Sequence, residues 1–404
     1  MISCRRALVL ALLLVAPANA GAQPAPLDQW AAAKWRFGPL AVTPKIELRN
    51  LGWDSNVFAE TEDPKSDFTT TVAAPIDWWL RFGRGRLHGV DVFEGVYFAT
   101  YSSQNGFNQN HDLTLLLPLN RVQPYIAGSY LSTNDRPGYE ISARIRHTEA
   151  GGRVGAIVRL TSRIDVDISG RQTTYTYTDE APEETQYAYA LDRRTENYGA
   201  QARYRLTPLT TLTLLADSVQ ERYNQDVTRN NDGFRILPGV EFDPYALIQG
   251  KAQVGYRKLN TLTPGMPDFS GLVAKAELSY ALRGTTRVAV GFSRDIYFSY
   301  EIYEPFYIQP GFTLSLTQQV SGPWDVQARG SWYTLNYQSA DTQGAATAPG
   351  RVDRYQAWGG GIGYRVGRDI RVGFNIDYSR RQSVVQGQDY TGIRGGMAVT
   401  YARK

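Results

Sequence analysis

The chain is poor in the residues from which disulfide bonds and metal sites are made. Its 404 residues include one cysteine, three histidines and three methionines. The cysteine, Cys4, lies close to the N-terminus, so the rest of the chain can form neither a disulfide bond nor a cysteine-ligated metal site. Three histidines leave little material for a histidine-based site. We therefore predict no metal site and no cofactor.

A strong net charge and long apolar runs are also missing. The sequence has 43 Lys and Arg against 39 Asp and Glu, a formal charge of +4 at pH 7. A nucleic-acid-binding protein would carry a larger basic excess, so no nucleic-acid partner is expected. Beyond residue 22 no stretch of 18 apolar residues occurs, and no transmembrane helix is predicted. The mean hydropathy of −0.37 suits a soluble protein, but also a barrel in which half of each strand faces water.

The N-terminus has the pattern of a secretory signal peptide. Arg5 and Arg6 precede a short apolar run, and the run is followed by the small-x-small pattern Ala18-Asn19-Ala20. This order of a positive region, an apolar region and a cleavage site predicts export of the chain. The predicted organisation is a signal peptide over residues 1–22, an N-terminal periplasmic segment over 23–41 and one barrel domain over 42–404.

Apolar and polar residues alternate along most of the remaining sequence. Between Asp369 and Arg380, the residues Ile370, Val372 and Phe374 begin an apolar set that alternates with polar or small residues. A period of two is typical of β-strands with one apolar face and is not compatible with helices. The same alternation in other segments predicts an all-β protein with about 18 strands, within a range of 16 to 18, from about residue 42 to 402.

The connections between these strands are alternately short and long. Predicted tight turns include Gly83-Arg84-Gly85 and Gly284-Thr285, whereas predicted long loops comprise Ser102–Asn110, Asp179–Arg194, Gln225–Asp232 and Ala340–Arg351. Outer-membrane barrels have short periplasmic turns and longer extracellular loops. The sequence therefore predicts a single-domain transmembrane antiparallel β-barrel in the cell outer membrane of a Gram-negative-type organism.

Aromatic residues separate this prediction from a soluble β-sandwich or propeller. Four tyrosines are predicted near the periplasmic ends of returning strands, on the apolar face: Tyr204, Tyr280, Tyr364 and Tyr401. A second set is predicted near the far ends of outgoing strands: Tyr101, Tyr223, Tyr297, Trp332 and Tyr378. Two belts of aromatic rings that bound an apolar band are typical of the two membrane interfaces. A sandwich gives no reason for tyrosines to be sorted by height.

The polar face of the strands carries many basic residues that we expect to line the lumen. The main lumen-lining candidates are Arg163, Arg171, Arg203, Arg205, Lys251, Arg257, Lys275, Arg283, Arg371 and Arg394. The acids read on the same face are fewer: Glu47, Asp165, Asp167, Asp217, Glu277, Asp325 and Asp377. This reading predicts a net basic lumen, which would favour anions because fixed charge in a confined channel concentrates counter-ions. In the alternative reading, these residues pair across strands and only solvate the interior.

One short element resembles a known family. The sequence Leu51-Gly52-Trp53-Asp54-Ser55-Asn56-Val57-Phe58, preceded by Pro44-Lys45-Ile46-Glu47-Leu48, is similar to the opening of outer-membrane β-barrel porins found beside exopolysaccharide-synthesis genes. The resemblance implies a barrel over the whole length and a possible role in polysaccharide export. It implies no catalytic residues. From the residues themselves, Asp54 and Asn56 are expected to form a turn, and Trp53 and Phe58 to join the outer aromatic belt.

The sequence thus predicts a passive, anion-preferring channel, with export of an anionic exopolysaccharide as its most specific form. A general diffusion porin for small solutes and a structural or adhesive barrel with a plugged lumen are the alternatives. An enzyme is not predicted, because no serine motif accompanies His88, His111 or His147 and no catalytic residue is assigned. The expected partners are outer-membrane lipid, the barrel-assembly machinery, and an anionic polysaccharide or small anions. The oligomeric state is left open.

Overall fold

The computed structural model describes residue 30 and residues 33–178, 187–244, 246–340 and 350–401. The predicted signal peptide lies outside the described residues, as do residues 179–186 of the predicted loop Asp179–Arg194 and residues 341–349 of the predicted loop Ala340–Arg351. One sheet contains twenty strands, and every long strand pairs antiparallel with its neighbour in the chain. No helix in the described part of the chain is long and apolar enough to cross a membrane.

Except for β1 and β2, the strands have 9 to 16 residues each. Their bounds are β1 Trp35–Phe37, β2 Leu40–Pro44, β3 Ile46–Asp54, β4 Asp67–Phe82, β5 Gly85–Phe98, β6 Gly106–Leu116, β7 Val122–Thr133, β8 His147–Arg159, β9 Ile164–Tyr177, β10 Arg193–Thr207, β11 Thr210–Tyr223, β12 Asn231–Phe242, β13 Ile248–Thr261, β14 Phe269–Leu282, β15 Thr286–Phe298, β16 Phe306–Ser321, β17 Trp324–Gln338, β18 Val352–Val366, β19 Ile370–Gln382 and β20 Tyr390–Tyr401. One short helix, α1, spans Tyr187–Leu191.

The sheet closes on itself through its first and last long strands. β2 and β3 pair with successive parts of β4 and are separated only by Lys45, so together they form one wall strand. β3 also pairs with β20, from Asp54 opposite Arg394 to Ile46 opposite Tyr401. The result is a closed antiparallel barrel of 18 strands, with β1 as a short additional hairpin strand on β2. The predicted fold class and strand number are confirmed.

Short and long connections alternate strictly around the barrel. At one end the turns have two to five residues, and at the other the loops have seven or more, as the strand bounds show. Gly83 and Gly367 lie in turns at the short-turn end with φ of 53° and 63°, values that glycine adopts at little cost. One predicted boundary is wrong. The loop expected over Ser102–Asn110 ends at Asn105, because β6 begins at Gly106 and places His111 in the middle of a strand.

The predicted alternation sorts side chains between the two faces of the wall. In β19, Phe374 and Ile376 are exposed on the outer face, while Arg381 is buried inside. Side chains on the outer face are predominantly apolar at mid-height, as a lipid-facing surface requires. The barrel interior therefore contains the polar face of each strand.

The aromatic belt at the short-turn end is as predicted. The belt at the long-loop end is as predicted only for Trp332 and Tyr378, which lie beside Trp358 on the outer face. Tyr204, Tyr364 and Tyr401 are exposed on the outer face near the short turns. Tyr223 and Tyr297 instead face inward, where Tyr223 is buried and Tyr297 packs with buried tyrosines, and Tyr101 lies in a loop against Phe58. The outer rings at that end include Trp53, Phe68, Tyr97, Phe107 and Tyr198. The difference arises because a change of one position in register reverses the face of every residue in a strand.

Candidate functional site: the charged lumen and its mouth

Five of the predicted lumen residues form ion pairs inside the barrel. The closest nitrogen–oxygen distances are 3.3 Å for Arg203 with Asp165, 2.7 Å for Arg257 with Asp295, 3.1 Å for Lys275 with Glu277, 2.6 Å for Arg371 with Asp325 and 2.5 Å for Arg394 with Asp54. Each pair joins residues that strand pairing and barrel closure bring to the same inner face. The alternative interpretation, in which these residues pair with acids inside the barrel, is therefore correct for these five.

The other five candidates lie in different settings. Arg171 donates to the hydroxyl of Thr173 on the inner face of β9, and Lys251 lies on the inner face of β13 between Glu241 and Glu277 of the adjacent strands. Arg205 is near the short-turn end of β10 and donates to the carbonyl oxygen of Ser162.

Two candidates do not lie on strands. Arg163 is in the turn between β8 and β9, and Arg283 is in the turn between β14 and β15 with φ of 49°. Both residues continue the alternation of the adjoining strand. However, β9 begins one residue after Arg163, and β14 ends one residue before Arg283. They are exposed at the short-turn end of the barrel.

The sequence reading missed many inward acids. Inward carboxylates that it did not include are Asp54, Asp67, Asp77, Glu94, Asp112, Glu149, Glu221, Glu241, Asp295 and Asp353. These acids are spread over nine strands between β3 and β18. With them, acids on the inner wall are almost as numerous as bases, so the predicted large basic excess is wrong as a net balance.

The charges of the inner wall are distributed unevenly around the circumference. The strands β3–β6 carry more acids than bases, whereas β8–β15 carry more bases than acids. In a closed barrel of 18 strands, the wall opposite β3–β6 is β12–β15, which contains Lys251, Lys275 and Arg287. A solute inside the barrel therefore passes between an acidic wall and a basic wall. The electrostatic potential that the solute meets depends on which of the two walls it approaches.

The loop of residues 134–146, here called the crossing loop, reaches across the mouth at the long-loop end. It leaves β7 on one side, and its Tyr139 stacks on Tyr333 and Tyr355 of β17 and β18, with ring centroids 4.3 Å and 4.5 Å apart. Arg381 of β19 donates to the carbonyl oxygen of Glu140. Because β16–β18 lie opposite β7 and β8 in the strand order, the loop spans the width of the barrel and narrows the passage.

Several contacts hold the crossing loop in this position. Arg136 donates to the carbonyl oxygens of Ser142, at 2.5 Å, and Val57, at 2.8 Å. Ile141 and Ile145 pack in a buried cluster with Tyr187 and Leu191 of α1. The loop therefore combines an apolar contact on one side with polar contacts on the other, which favours a single position.

A buried set of charges connects the other loops at the mouth. This mouth network consists of Arg351, Asp353, Arg381, Glu304 and Gln388. Arg351 lies 2.9 Å from Asp353 and 3.3 Å from Glu304, and Arg381 lies 2.7 Å from Asp353. The side chains of Arg351, Asp353 and Glu304 are all 0% exposed. Sequence reasoning missed this network, because its members lie on three different loops or strand ends and share no local pattern.

Glu140 of the crossing loop is a titratable group beside this network. Its carboxylate accepts a hydrogen bond from the hydroxyl of Ser299, and Arg351 and Arg381 are near enough to act on its charge. Burial raises the pKa of Glu140 to about 7, because the loss of hydration outweighs these favourable contacts. The loop at the mouth therefore contains a carboxyl group that changes its charge near neutral pH.

Comparison with known proteins identifies the family. The family described as putative beta-barrel porin 2 matches residues 30–403. The chain belongs to this family. It forms an outer-membrane porin-like channel, and both the family and the fold are those of channels. In this setting the short-turn end of the barrel is periplasmic and the long-loop end is extracellular.

Several solved outer-membrane structures are similar to this chain at low sequence identity. OpdK of Pseudomonas aeruginosa is 12% identical, with 89% of this chain and 98% of that chain covered and a TM-score of 0.48. OccK2 (OpdF) of the same organism is 10% identical, with coverage of 89% and 97% and a TM-score of 0.49. OccAB3 of Acinetobacter baumannii is 8% identical, with coverage of 90% and 99% and a TM-score of 0.48. No curated protein sequence matches this chain.

The element that resembles exopolysaccharide-associated porins has a structural role in this porin. Asp54 accepts hydrogen bonds from the backbone of Asn56 and from Arg394 across the closing seam. Asn56 donates to the carbonyl oxygen of Thr391 and accepts from the backbone of Glu60. The expected turn-forming role of Asp54 and Asn56 is confirmed. The element joins the first strand to the last, and Val57 also accepts the hydrogen bond from the crossing loop.

Proposed function

We propose that this porin is a passive channel that passes small anions in preference to cations. The observation that carries the proposal is the depth of the charges, not their number. In several lumen ion pairs the carboxylate is buried in the wall and the basic group lies nearer to the water. The charge that a solute meets at these pairs is therefore positive.

Three carboxylates illustrate this difference. The side chain of Asp325 is 1% exposed, whereas its partners Arg371 and Arg365 are 12% and 27% exposed. Asp217 is 7% exposed against 25% for Arg235. Asp54 is 9% exposed against 34% for Arg394. A guanidinium group that covers its counter-ion still presents N–H donors to the lumen, and rings of such groups favour anions.

The packing of the loops at the mouth of the barrel favours small solutes as the substrate class. The crossing loop and the mouth network are packed and buried, and in this position they hinder the passage of a wide polymer. Export of an anionic exopolysaccharide is the second candidate function. Its support is the Trp53–Phe58 resemblance and the basic groups of the lumen, and it requires the crossing loop to leave the mouth.

Reversal potentials across a planar bilayer under a potassium chloride gradient test the ion preference. We expect the wild-type channel to favour chloride. The double variant Lys251→Glu, Lys275→Glu reverses two charges in the lumen without leaving a buried acid unpaired, since Glu277 is itself 56% exposed. Its chloride-to-potassium permeability ratio should fall by about two-fold or more, because confined fixed charge sets the local ion concentration.

The matched control carries the same change of formal charge outside the lumen. Arg354 and Arg380 are exposed on the outer face at the extracellular end, and Arg354→Glu, Arg380→Glu should leave the permeability ratio unchanged. A cation-selective wild type would contradict the proposal. Absence of conductance from folded protein would favour the plugged barrel instead.

Solute size separates a small-anion channel from a polymer exporter. Liposome-swelling rates would be measured for monomeric, trimeric and longer oligomeric sugar acids. A small-anion channel should show a steep decrease after the shortest solutes. Equal rates for long oligomers would contradict the size limit and favour export of polysaccharide.

A further inference from the structure

The outer wall of the barrel carries one ionisable cluster at mid-height. Asp91 and His111 lie directly opposite each other on β5 and β6. Both share the outer face with exposed residues of the same strands, Tyr97 on β5 and Phe107 and Leu113 on β6. Asp91 is near the middle of Gly85–Phe98 and His111 is at the centre of Gly106–Leu116, so the pair lies far from both membrane interfaces.

The cluster is organised by short hydrogen bonds. Nδ1 of His111 lies 2.6 Å from Oδ1 of Asp91, and the indole nitrogen of Trp78 donates to Oδ2 of Asp91 at 2.6 Å. Nε2 of His111 lies 3.3 Å from Oε1 of Gln109. Four polar side chains on three adjacent strands thus converge on the outer face. The side chains of His111 and Asp91 still have 30% and 24% of their surface exposed.

Such a cluster is unfavourable against hydrocarbon. Charged residues on the lipid face of a barrel cost about 2–4 kcal/mol at the midplane for Arg and Lys, and less for acids. Ionisable groups within membranes almost always face protein or a water-filled cavity. The wall of β17–β19 shows the ordinary arrangement, since Val326, Ile362 and Ile376 are all apolar and exposed there.

The surroundings of the cluster suit close contact with another protein. Phe93 packs edge-to-face on His111, and Tyr130 stacks beside it with ring centroids 6.4 Å apart. A Cβ atom at Gly95, on the same outer face, would meet no atom within 4 Å, so the wall is shallow there. Aromatic rings around a small polar centre are typical of the most strongly contributing part of protein interfaces.

We propose that a second copy of this chain packs on the outer wall of β4–β7. Rotation by 180° about an axis along the membrane normal keeps each residue at the same height in the membrane and turns the second copy to face the first. If the axis passes between β5 and β6, the rotation places Asp91 of one copy opposite His111 of the other, so the face is complementary to itself in charge. Contact between the two copies would remove the cluster from lipid. This inference does not depend on the ion preference of the channel.

Disulfide cross-linking in native membranes tests the contact. In a Cys4→Ser background, Gly95→Cys places a thiol on the proposed interface, and Ile376→Cys places one at mid-height on the wall of β17–β19. We expect oxidation to link Gly95→Cys into a dimer and to leave Ile376→Cys monomeric. Cross-links only at Ile376→Cys, or links from Gly95→Cys only to a different protein, would overturn the proposal.

A second variant tests the role of the cluster and guards against a folding defect. Asp91→Leu, His111→Leu replaces both partners together, so that neither is left alone in the membrane. The mass of the protein in mild detergent should shift from dimer to monomer, with at least a tenfold weaker association. The folded barrel would be verified by its resistance to unfolding in SDS at room temperature. A variant that is folded and as dimeric as the wild type would overturn the proposal.

Discussion

At the scale of single residues, the lumen contains pairs that look alike in sequence but differ greatly in burial. Asp325 is 1% exposed and lies between Arg371 and Arg365, whereas Lys275 and Glu277 are each about half exposed. A buried pair that loses one partner leaves an uncompensated charge, but an exposed pair is screened by water. The wall therefore has structural charges and solvent-facing charges in the same ring of strands.

We expect Asp325→Asn to destabilise the barrel by about 3–5 kcal/mol, because it removes the counter-charge of two guanidinium groups. Glu277→Gln, the matched control, should cost about 0–1 kcal/mol. Urea unfolding of each variant in lipid vesicles would measure the free energy of unfolding. Equal losses for the two variants would show that depth in the wall does not determine the contribution of a pair.

At the scale of elements, each strand has two environments that alternate residue by residue. In β19, Phe374 is exposed on the outer face and Asn375 faces the lumen. The outer position needs an apolar side chain and the inner one meets water or other polar groups. The period-two pattern therefore results from lipid on one face of the strand and water or polar groups on the other.

Phe374→Arg should cost about 2–4 kcal/mol because the position lies near the middle of the strand on the lipid face. Asn375→Ser, a polar exchange one residue away on the lumen face, should have a much smaller effect. Unfolding midpoints in lipid vesicles compare the two. Similar losses would remove the evidence for a boundary between lipid and water at this strand.

The crossing loop is the element whose position should depend on pH. Below a pH of about 4.5, Glu140 is protonated whether the loop is packed or released. Its pKa in the packed loop is raised to about 7, so packing gives its full stability at low pH and loses stability as the pH rises toward 7. We expect single-channel conductance to increase between pH 4.5 and 7.

Glu140→Gln keeps the shape of the side chain and removes its titration. Its conductance should remain at the low-pH level of the wild type over the same pH range. A wild-type conductance that falls with rising pH would contradict this sign. A variant that keeps the full pH dependence would show that another group is responsible.

At the scale of the whole molecule, alternate turns and loops define an orientation in the membrane. The two-residue turn after β4 contains exposed Arg84, and the loop after β19 contains Val384, which is 71% exposed. Short turns are periplasmic in barrels of this class, so these two sites should lie on opposite sides of the membrane.

Single cysteines at these sites report the orientation in intact cells. Val384→Cys should react with a membrane-impermeant maleimide, and Arg84→Cys should react only after the outer membrane is permeabilised. Both variants would be made in a Cys4→Ser background, where no other thiol exists. Labelling of Arg84→Cys alone in intact cells would invert the topology.

The sequence by itself determined the barrel, because alternation with period two and the alternation of turns with loops are local signals that each strand carries alone. It also identified Arg203, Arg257 and Arg371 as lumen residues, since strand parity decides which face a side chain occupies. It could not place Arg163 and Arg283, whose strands end one residue before or after them. It also missed ten inward acids that are spread over nine strands.

Only the tertiary structure decided which charged side chains of the lumen are buried and which loop narrows the mouth of the barrel. Arg394 meets Asp54 because the last strand pairs with the first, and Glu140 meets Ser299 because the crossing loop spans the barrel. The predicted loop Ser102–Asn110 ends next to His111, and only the register of β6 placed His111 beside Asp91 on the outer wall. These contacts join residues far apart in the chain. Their geometry depends on barrel closure and loop packing, which no local pattern encodes.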